Sequence, residues 1–127
     1  VVIVSTANFT MSCIHGDVLV SGSRGNANSL VVIDSDPVAD IFLEEFSEMW
    51  GNGRRGSFGI KKKYRSPRTV NVGSSKLTIQ FSPTPRSQSW NNSVNGLIGR
   101  TLSKANRSVK GAFFVFSDQQ LSNVLEP

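Results

Sequence analysis

Val1-Val2-Ile3-Val4-Ser5-Thr6-Ala7-Asn8-Phe9-Thr10 is the stretch on which the fold turns. Four consecutive β-branched residues are stiff at χ1 and suit an extended chain, and a run without polar alternation reads as a strand buried on both faces. Such a strand needs a neighbour on each side. One of them is expected ahead of Val1, so the chain is expected to open in the middle of a fold. The small polar tail from Ser5 to Asn8 matters for function, because open α/β sheets place their ligand sites at the carboxyl ends of strands.

Working outward, Met11 to Asn28 is a polar loop around the short apolar cluster Val18-Leu19-Val20, and Ser29-Leu30-Val31-Val32-Ile33 is a second continuous apolar run, again read as a buried strand. It feeds a helix with clear punctuation: Asp36 as N-cap, Pro37 at the first helical position and Gly51 as the stop. Between them Val38, Ile41, Phe42, Phe46, Met49 and Trp50 recur at helical spacing. From Gly51 to Ser75 the pattern dissolves into Gly, Arg, Lys, Ser and Pro and is read as an arm. Leu77, Ile79 and Phe81 alternate with Thr78 and Gln80, a half-buried strand halted by Ser82-Pro83-Thr84-Pro85. Val94, Leu97, Ile98, Thr101, Leu102 and Ala105 then predict a second helix, capped by Asn91, Asn92 or Ser93. Ala112-Phe113-Phe114-Val115-Phe116 reads as a buried strand, and Ser117-Asp118-Gln119-Gln120 as a capping box opening a third helix. The span from Leu77 to Ser117 is long enough for a right-handed crossover joining two parallel strands, so the predicted class is α/β.

A chain of 127 residues is the size of one domain. Cys13 stands alone, which excludes an internal disulfide and suggests no cysteine metal site; neither metal nor cofactor is expected. The net charge of +5 conceals an asymmetry, since residues 49–117 carry 13 Lys and Arg and no carboxylate. Two readings stand side by side: a solvated basic face, or a surface for a polyanion, with Lys61-Lys62-Lys63-Tyr64-Arg65 gripping phosphates or anionic headgroups and Tyr64 stacking on a base.

The run Val4-Ser5-Thr6-Ala7-Asn8-Phe9-Thr10, then Asn28-Ser29-Leu30-Val31-Val32-Ile33, then Asp36-Pro37 leading into Phe42-Leu43-Glu44-Glu45-Phe46 and Met49-Trp50, resembles the phospholipase D superfamily. More narrowly, it is similar to the piece of a bacterial member just after its first HxKxxxxD motif. Phe81-Ser82-Pro83, Leu97-Ile98, Ala105-Asn106-Arg107-Ser108-Val109 and Phe114-Val115-Phe116-Ser117-Asp118 resemble the opening of a second repeat. The resemblance implies a mixed sheet flanked by helices and incomplete at both ends. Residues 1–51 would close the first repeat, 52–75 form a basic connecting arm, and 76–127 open the second repeat of the same parent chain. It implies a phosphodiester substrate, nucleic acid or phospholipid, attacked by one imidazole to give a phosphohistidine while a second imidazole protonates the leaving oxygen. Both histidines would lie outside this chain.

In the family a GSxN or GGxN sequence follows each HxKxxxxD motif at a fixed gap. Laid on this chain, it puts Ser5 at the Gly position, Thr6 at the Ser position and Asn8 at the Asn position, with Asn28 where some relatives carry an acidic residue. Ser5, Thr6, Asn8 and Asn28 are therefore the candidate phosphate-side residues, and Lys61, Lys62, Lys63 and Arg65 the candidate polyanion contacts. The plainer reading of Thr6 and Asn8 is turn capping after a strand. His15 with Asp17 invites a catalytic assignment, but a lone His in a Gly-containing loop is ordinarily a loop residue. The competing function is a binding module that holds nucleic acid or an anionic membrane surface without cleaving it.

Overall fold

The computed structural model describes residues 1–14, 21–22, 25–53, 56, 58–113 and 115–126. His15, Asp17 and the Val18-Leu19-Val20 cluster lie outside the described residues, as does Phe114. The protein is mixed α/β and forms two compact units, Val1–Glu44 and Glu45–Pro127.

In the first unit β1 (Val2–Ser5) pairs antiparallel with β2 (Leu30–Ile33), Val2 opposite Ile33 and Ser5 opposite Leu30, and the short helix α1 (Met11–Ile14) lies in the connection. The expected burial on both faces is not what these strands show. Val2 is buried, whereas Ile3, Val4, Leu30, Val31 and Val32 are exposed. Two strands cannot shield one another's side chains, so burial on both faces needs further layers that a two-stranded sheet does not itself supply.

Helix α2 (Asp36–Trp50) starts one residue earlier than its sequence punctuation suggests. The hydroxyl of Ser35 faces the N–H of Val38 at 3.5 Å and the Ser35 carbonyl accepts from Ala39 at 2.9 Å, so Ser35 takes the capping role expected of Asp36. Pro37 stays in the first turn, where its missing N–H costs nothing. The helix stops at Gly51, whose N–H closes the final turn on Ser47. The buried stripe runs Val38, Ile41, Glu45 and, half-buried, Glu48, while Phe46 and Trp50 stack on each other in the open at 5.6 Å. The helix thus turns two carboxylates inward and leaves part of its apolar face outside.

The second unit contains more structure in its arm than the Gly- and Lys-rich composition suggested. A single 3₁₀ turn at Gly59–Lys61 is followed by β3 (Arg68–Val72), which pairs antiparallel with β4 (Ser75–Ile79). The two-residue connection is Gly73-Ser74, with Gly73 at φ +58° and Ser74 at negative φ, the arrangement of a type II′ hairpin turn. Val70, Val72, Leu77 and Ile79 share the half-buried face of this hairpin; Thr69, Asn71, Lys76 and Thr78 share the exposed one. After a 3₁₀ turn at Trp90–Asn92, α3 (Val94–Leu102) is capped by Ser93, whose hydroxyl accepts from Gly96 at 3.0 Å. Helix α4 (Gln119–Leu125) is capped by Asp118, which accepts from Leu121 at 2.9 Å. The Trp90 ring lies against α3 at Gly99, where a Cβ would meet Trp90 Cη2 at 2.8 Å, while Leu121 and Val124 of α4 lie at ordinary contact distance from the same position.

No described residues outside β1–β2 and β3–β4 form a sheet, and neither sheet is parallel. Ala112, Phe113, Val115 and Phe116 are exposed and outside any strand, so the crossover and parallel pair expected over Leu77–Ser117 do not form. An apolar run specifies a strand only when a sheet edge is there to take its backbone hydrogen bonds, and here β4 spends one edge on β3.

Candidate functional site

The carboxyl end of β1 and the start of β2 form a tight polar cluster. The antiparallel ladder runs one step past the strands, Thr6 donating to the Ser29 carbonyl at 3.0 Å, and this brings residues 5–6 and 28–29 side by side. The Thr6 hydroxyl donates to Asn28 Oδ1 at 3.2 Å and accepts from the Ser29 N–H at 2.9 Å. Asn28 in turn donates to the Asn26 carbonyl at 3.0 Å. The Ser5 hydroxyl donates to the Ser29 carbonyl at 3.1 Å and accepts from Ala7 at 3.0 Å. Ser5, Thr6 and Asn28 are therefore brought together, and Asn8 stands exposed two residues further on.

Counting protons sharpens their roles. A hydroxyl has one hydrogen to give, and those of Ser5 and Thr6 are already given to Ser29 and Asn28. An incoming phosphate oxygen would have to take the Thr6 hydroxyl away from Asn28, whereas the Asn8 side-chain amide carries two donors at an exposed position.

Cys13 belongs to the same cluster, which the sequence pattern did not signal. Its Sγ accepts from Asn26 Nδ2 at 3.8 Å. The Thr10 hydroxyl foremost, then a backbone hydrogen bond from Asn8, hold its thiol below the ordinary value, against a smaller opposing effect of burial. The physical cause is a ring of donors around sulfur.

The four basic candidates divide in two. Lys61 and Lys63 are exposed, whereas Lys62 is buried. Lys62 Nζ lies 2.5 Å from Glu45 Oε1, donates to the Ser82 carbonyl at 2.9 Å, and sits 5.6 and 5.7 Å from the ring centroids of Phe58 and Phe81. Arg65 donates to Glu45 Oε2 at 3.0 Å and lies 2.5 Å from Glu48 Oε2, a close ion pair without hydrogen-bond alignment. The backbone N–H of Lys63 donates to Glu48 Oε1 at 2.9 Å. Two of the four cations thus neutralise the carboxylates that α2 turns inward. The sequence offered no phase for this, because Lys61, Lys62 and Lys63 look alike and their partners lie well upstream.

Burial alone would raise the Glu48 pKa, but the Lys63 N–H and the Arg65 charge outweigh it and leave the carboxyl below its ordinary value. A depressed carboxylate stabilises the folded state in full above the ordinary glutamate value of about 4.3 and loses that contribution as pH falls through the lower folded value. Melting temperatures followed from neutral pH into this acidic range should therefore fall more steeply for the native chain than for Glu48→Gln, in which the contribution is already gone.

Among the described residues no group of His, Cys, Asp and Glu could hold a metal ion, and no helix is long and apolar enough to cross a membrane. Comparison with family models, curated proteins and solved structures finds no match to this chain.

Proposed function

We propose that this chain is an interior piece of a phospholipase D-like phosphodiesterase, with residues 1–51 closing one repeat, 52–75 joining, and 76–127 opening the next. The observation that carries the reading is the polar cluster at the carboxyl end of β1, where Ser5, Thr6 and Asn28 interlock and leave the exposed Asn8 amide, with the second Asn28 amide hydrogen, as donors. In this reading Asn8 meets a non-bridging phosphate oxygen as charge builds on it, and the interlocked hydroxyls hold the loop that presents Asn8. An imidazole from outside the chain forms the P–N bond as the P–O bond to the leaving group breaks. A second imidazole protonates the departing oxygen, and water then cleaves the P–N bond.

The experiment compares two forms of the protein on bis(p-nitrophenyl) phosphate. The 127-residue chain is expected to give no turnover, and the same chain carried within its natural flanking sequence is expected to hydrolyse the substrate. Flanks without an HxKxxxxD motif overturn the reading. So does turnover by the 127-residue chain that disappears on His15→Ala.

A second reading, a module that binds a polyanion without cleaving it, draws on the charge of the second unit. Its two inward carboxylates are matched by Lys62 and Arg65, and every other described Lys and Arg of that unit is exposed.

A further inference from the structure

We propose that hairpin β3–β4 is a two-stranded ribbon that enters the major groove of double-stranded DNA with Thr69, Asn71, Lys76 and Thr78 facing the bases. The inference rests on the nucleic-acid branch of the readings above and names the surface and the form of nucleic acid.

Strand alternation puts these four residues on one face as two directly opposed cross-strand pairs, Thr69 with Thr78 and Asn71 with Lys76. All four are exposed, and the opposite face, Val70, Val72, Leu77 and Ile79, is half-buried and anchors the ribbon to the unit. The face is apolar nowhere and acidic nowhere. Its Thr hydroxyls lie 3.0 Å apart, one donating to the other, so one hydroxyl hydrogen of the pair remains to be given. That hydrogen, the Thr methyl groups, the Asn71 amide and the Lys76 ammonium are the groups offered outward.

Those are the groups that base edges in the major groove can use. Asn pairs in bidentate fashion with adenine N6 and N7, Lys donates to guanine O6 and N7, and a Thr methyl packs on the thymine methyl. The dimensions agree as well. Two strands lie about 4.8 Å apart, so with side chains the ribbon fits a groove about 12 Å wide. The type II′ turn at Gly73-Ser74 keeps the tip narrow.

Charge selects a polyanion over a neutral partner. In the second unit Glu45 and Glu48 are matched internally, and Asp118 is half-buried and bonded to Trp90, Asn95 and Leu121. Among the described residues this leaves Glu126 as the exposed carboxylate against an exposed series of Lys and Arg that includes Lys61 and Lys63, close in sequence to β3. A surface of that sign binds phosphates through counterion release. Duplex RNA is a poorer fit, because the major groove of an A-form helix is too deep and narrow for a ribbon. The rival partner is an anionic lipid, for which an open groove of about 690 Å³ lined by Ile98, Leu102, Phe113 and Val124, with Arg107 and Lys110 beside them, is the attraction.

The test is fluorescence anisotropy with short labelled DNA duplexes of A·T-rich and G·C-rich sequence, titrated over a series of salt concentrations. Lys76→Gln is expected to leave the slope of log K against log salt nearly unchanged and to weaken binding to G·C-rich duplexes by about 5- to 150-fold, the loss of a contact to guanine. Asn71→Ala is expected to leave the slope alone and to abolish a preference among duplexes of about 5- to 150-fold. Both side chains are exposed, so the thermal melts of the variants should match that of the native chain, which separates lost contact from lost fold. Three results overturn the proposal: both variants bind every duplex as the native chain does, duplex RNA of the same sequence binds equally well, or vesicles of anionic lipid compete the duplex away while the ribbon variants bind the vesicles unchanged. Ribbon-dependent binding without hydrolysis in the flanked protein would sink the phosphodiesterase reading and leave this one standing. Hydrolysis with no ribbon dependence of binding would do the reverse.

Discussion

Lys62→Met is expected to destabilise the protein by about 3–5 kcal/mol, while Lys61→Met and Lys63→Met each change stability by less than about 0.5 kcal/mol. The three residues are adjacent and identical in type, so the contrast isolates environment. The side chains of Lys62 and Glu45 are 3% and 5% exposed, and removing the ammonium leaves the Glu45 carboxylate without its 2.5 Å partner and the Ser82 carbonyl without a donor. A buried charge stripped of its partner bears a desolvation cost that no nearby water offsets. Arg65 still reaches Glu45 Oε2 at 3.0 Å and keeps part of the charge balanced, which places the expected loss toward the lower end of the range. The favourable position of the ammonium near the Phe58 and Phe81 rings is lost as well. Urea titration of the three variants gives the measurement, and three equal midpoints would show that the Lys62–Glu45 pair does not hold the fold.

In the protein carried within its natural flanks, Asn8→Ala is expected to lower kcat for phosphodiester hydrolysis by about 10²–10³, the usual cost of deleting one donor to developing oxyanion charge. Ser5→Ala should change kcat far less, because the Ser5 hydroxyl is committed to Ser29 and Ala7 and acts on the loop. Thr6→Val falls between. Its hydroxyl bridges Asn28 Oδ1 and the Ser29 N–H, so the substitution loosens the cluster and leaves both partners to find water. Single-turnover kinetics with KM measured alongside separates the cases, since a donor used in the transition state moves kcat and one used in binding moves KM. An Asn8→Ala protein with native kcat would remove Asn8 from the chemistry.

Much of the local structure was legible in the residues. Pro37 and Gly51 bracketed α2, Ser93 stood among the predicted caps of α3, and the alternation of Leu77, Thr78 and Ile79 marked β4. What escaped was whatever depended on a partner. Val70 and Val72 alternate with Thr69 and Asn71 over too short a span to stand out beside a basic run, yet the hairpin forms because Gly73-Ser74 turns the chain and β4 supplies the ladder. The run from Ala112 to Phe116 has strong strand propensity, and without an edge to join, Ala112, Phe113, Val115 and Phe116 stay exposed and outside any strand. The site divides in the same way. Ser5, Thr6 and Asn28 could be gathered on paper through the family resemblance alone, and the neighbouring strand ends set them side by side. The inward turn of Lys62 and Arg65 could not, since it depends on Glu45 and Glu48 sitting on the buried stripe of α2, where periodicity leads one to expect apolar side chains.

The cluster of Glu45, Glu48, Lys62 and Arg65 also constrains how this sequence can drift. A lineage that loses one member passes through a poorly folded intermediate that cellular proteolysis would remove. An apolar replacement of both Glu45 and Lys62 escapes that trap, because buried pairs exchanged together for well-packed residues are often neutral or better. Across descendants of this chain, positions 45 and 62 should therefore change in company or stay as they are, while folding places no such constraint on Lys61 and Lys63.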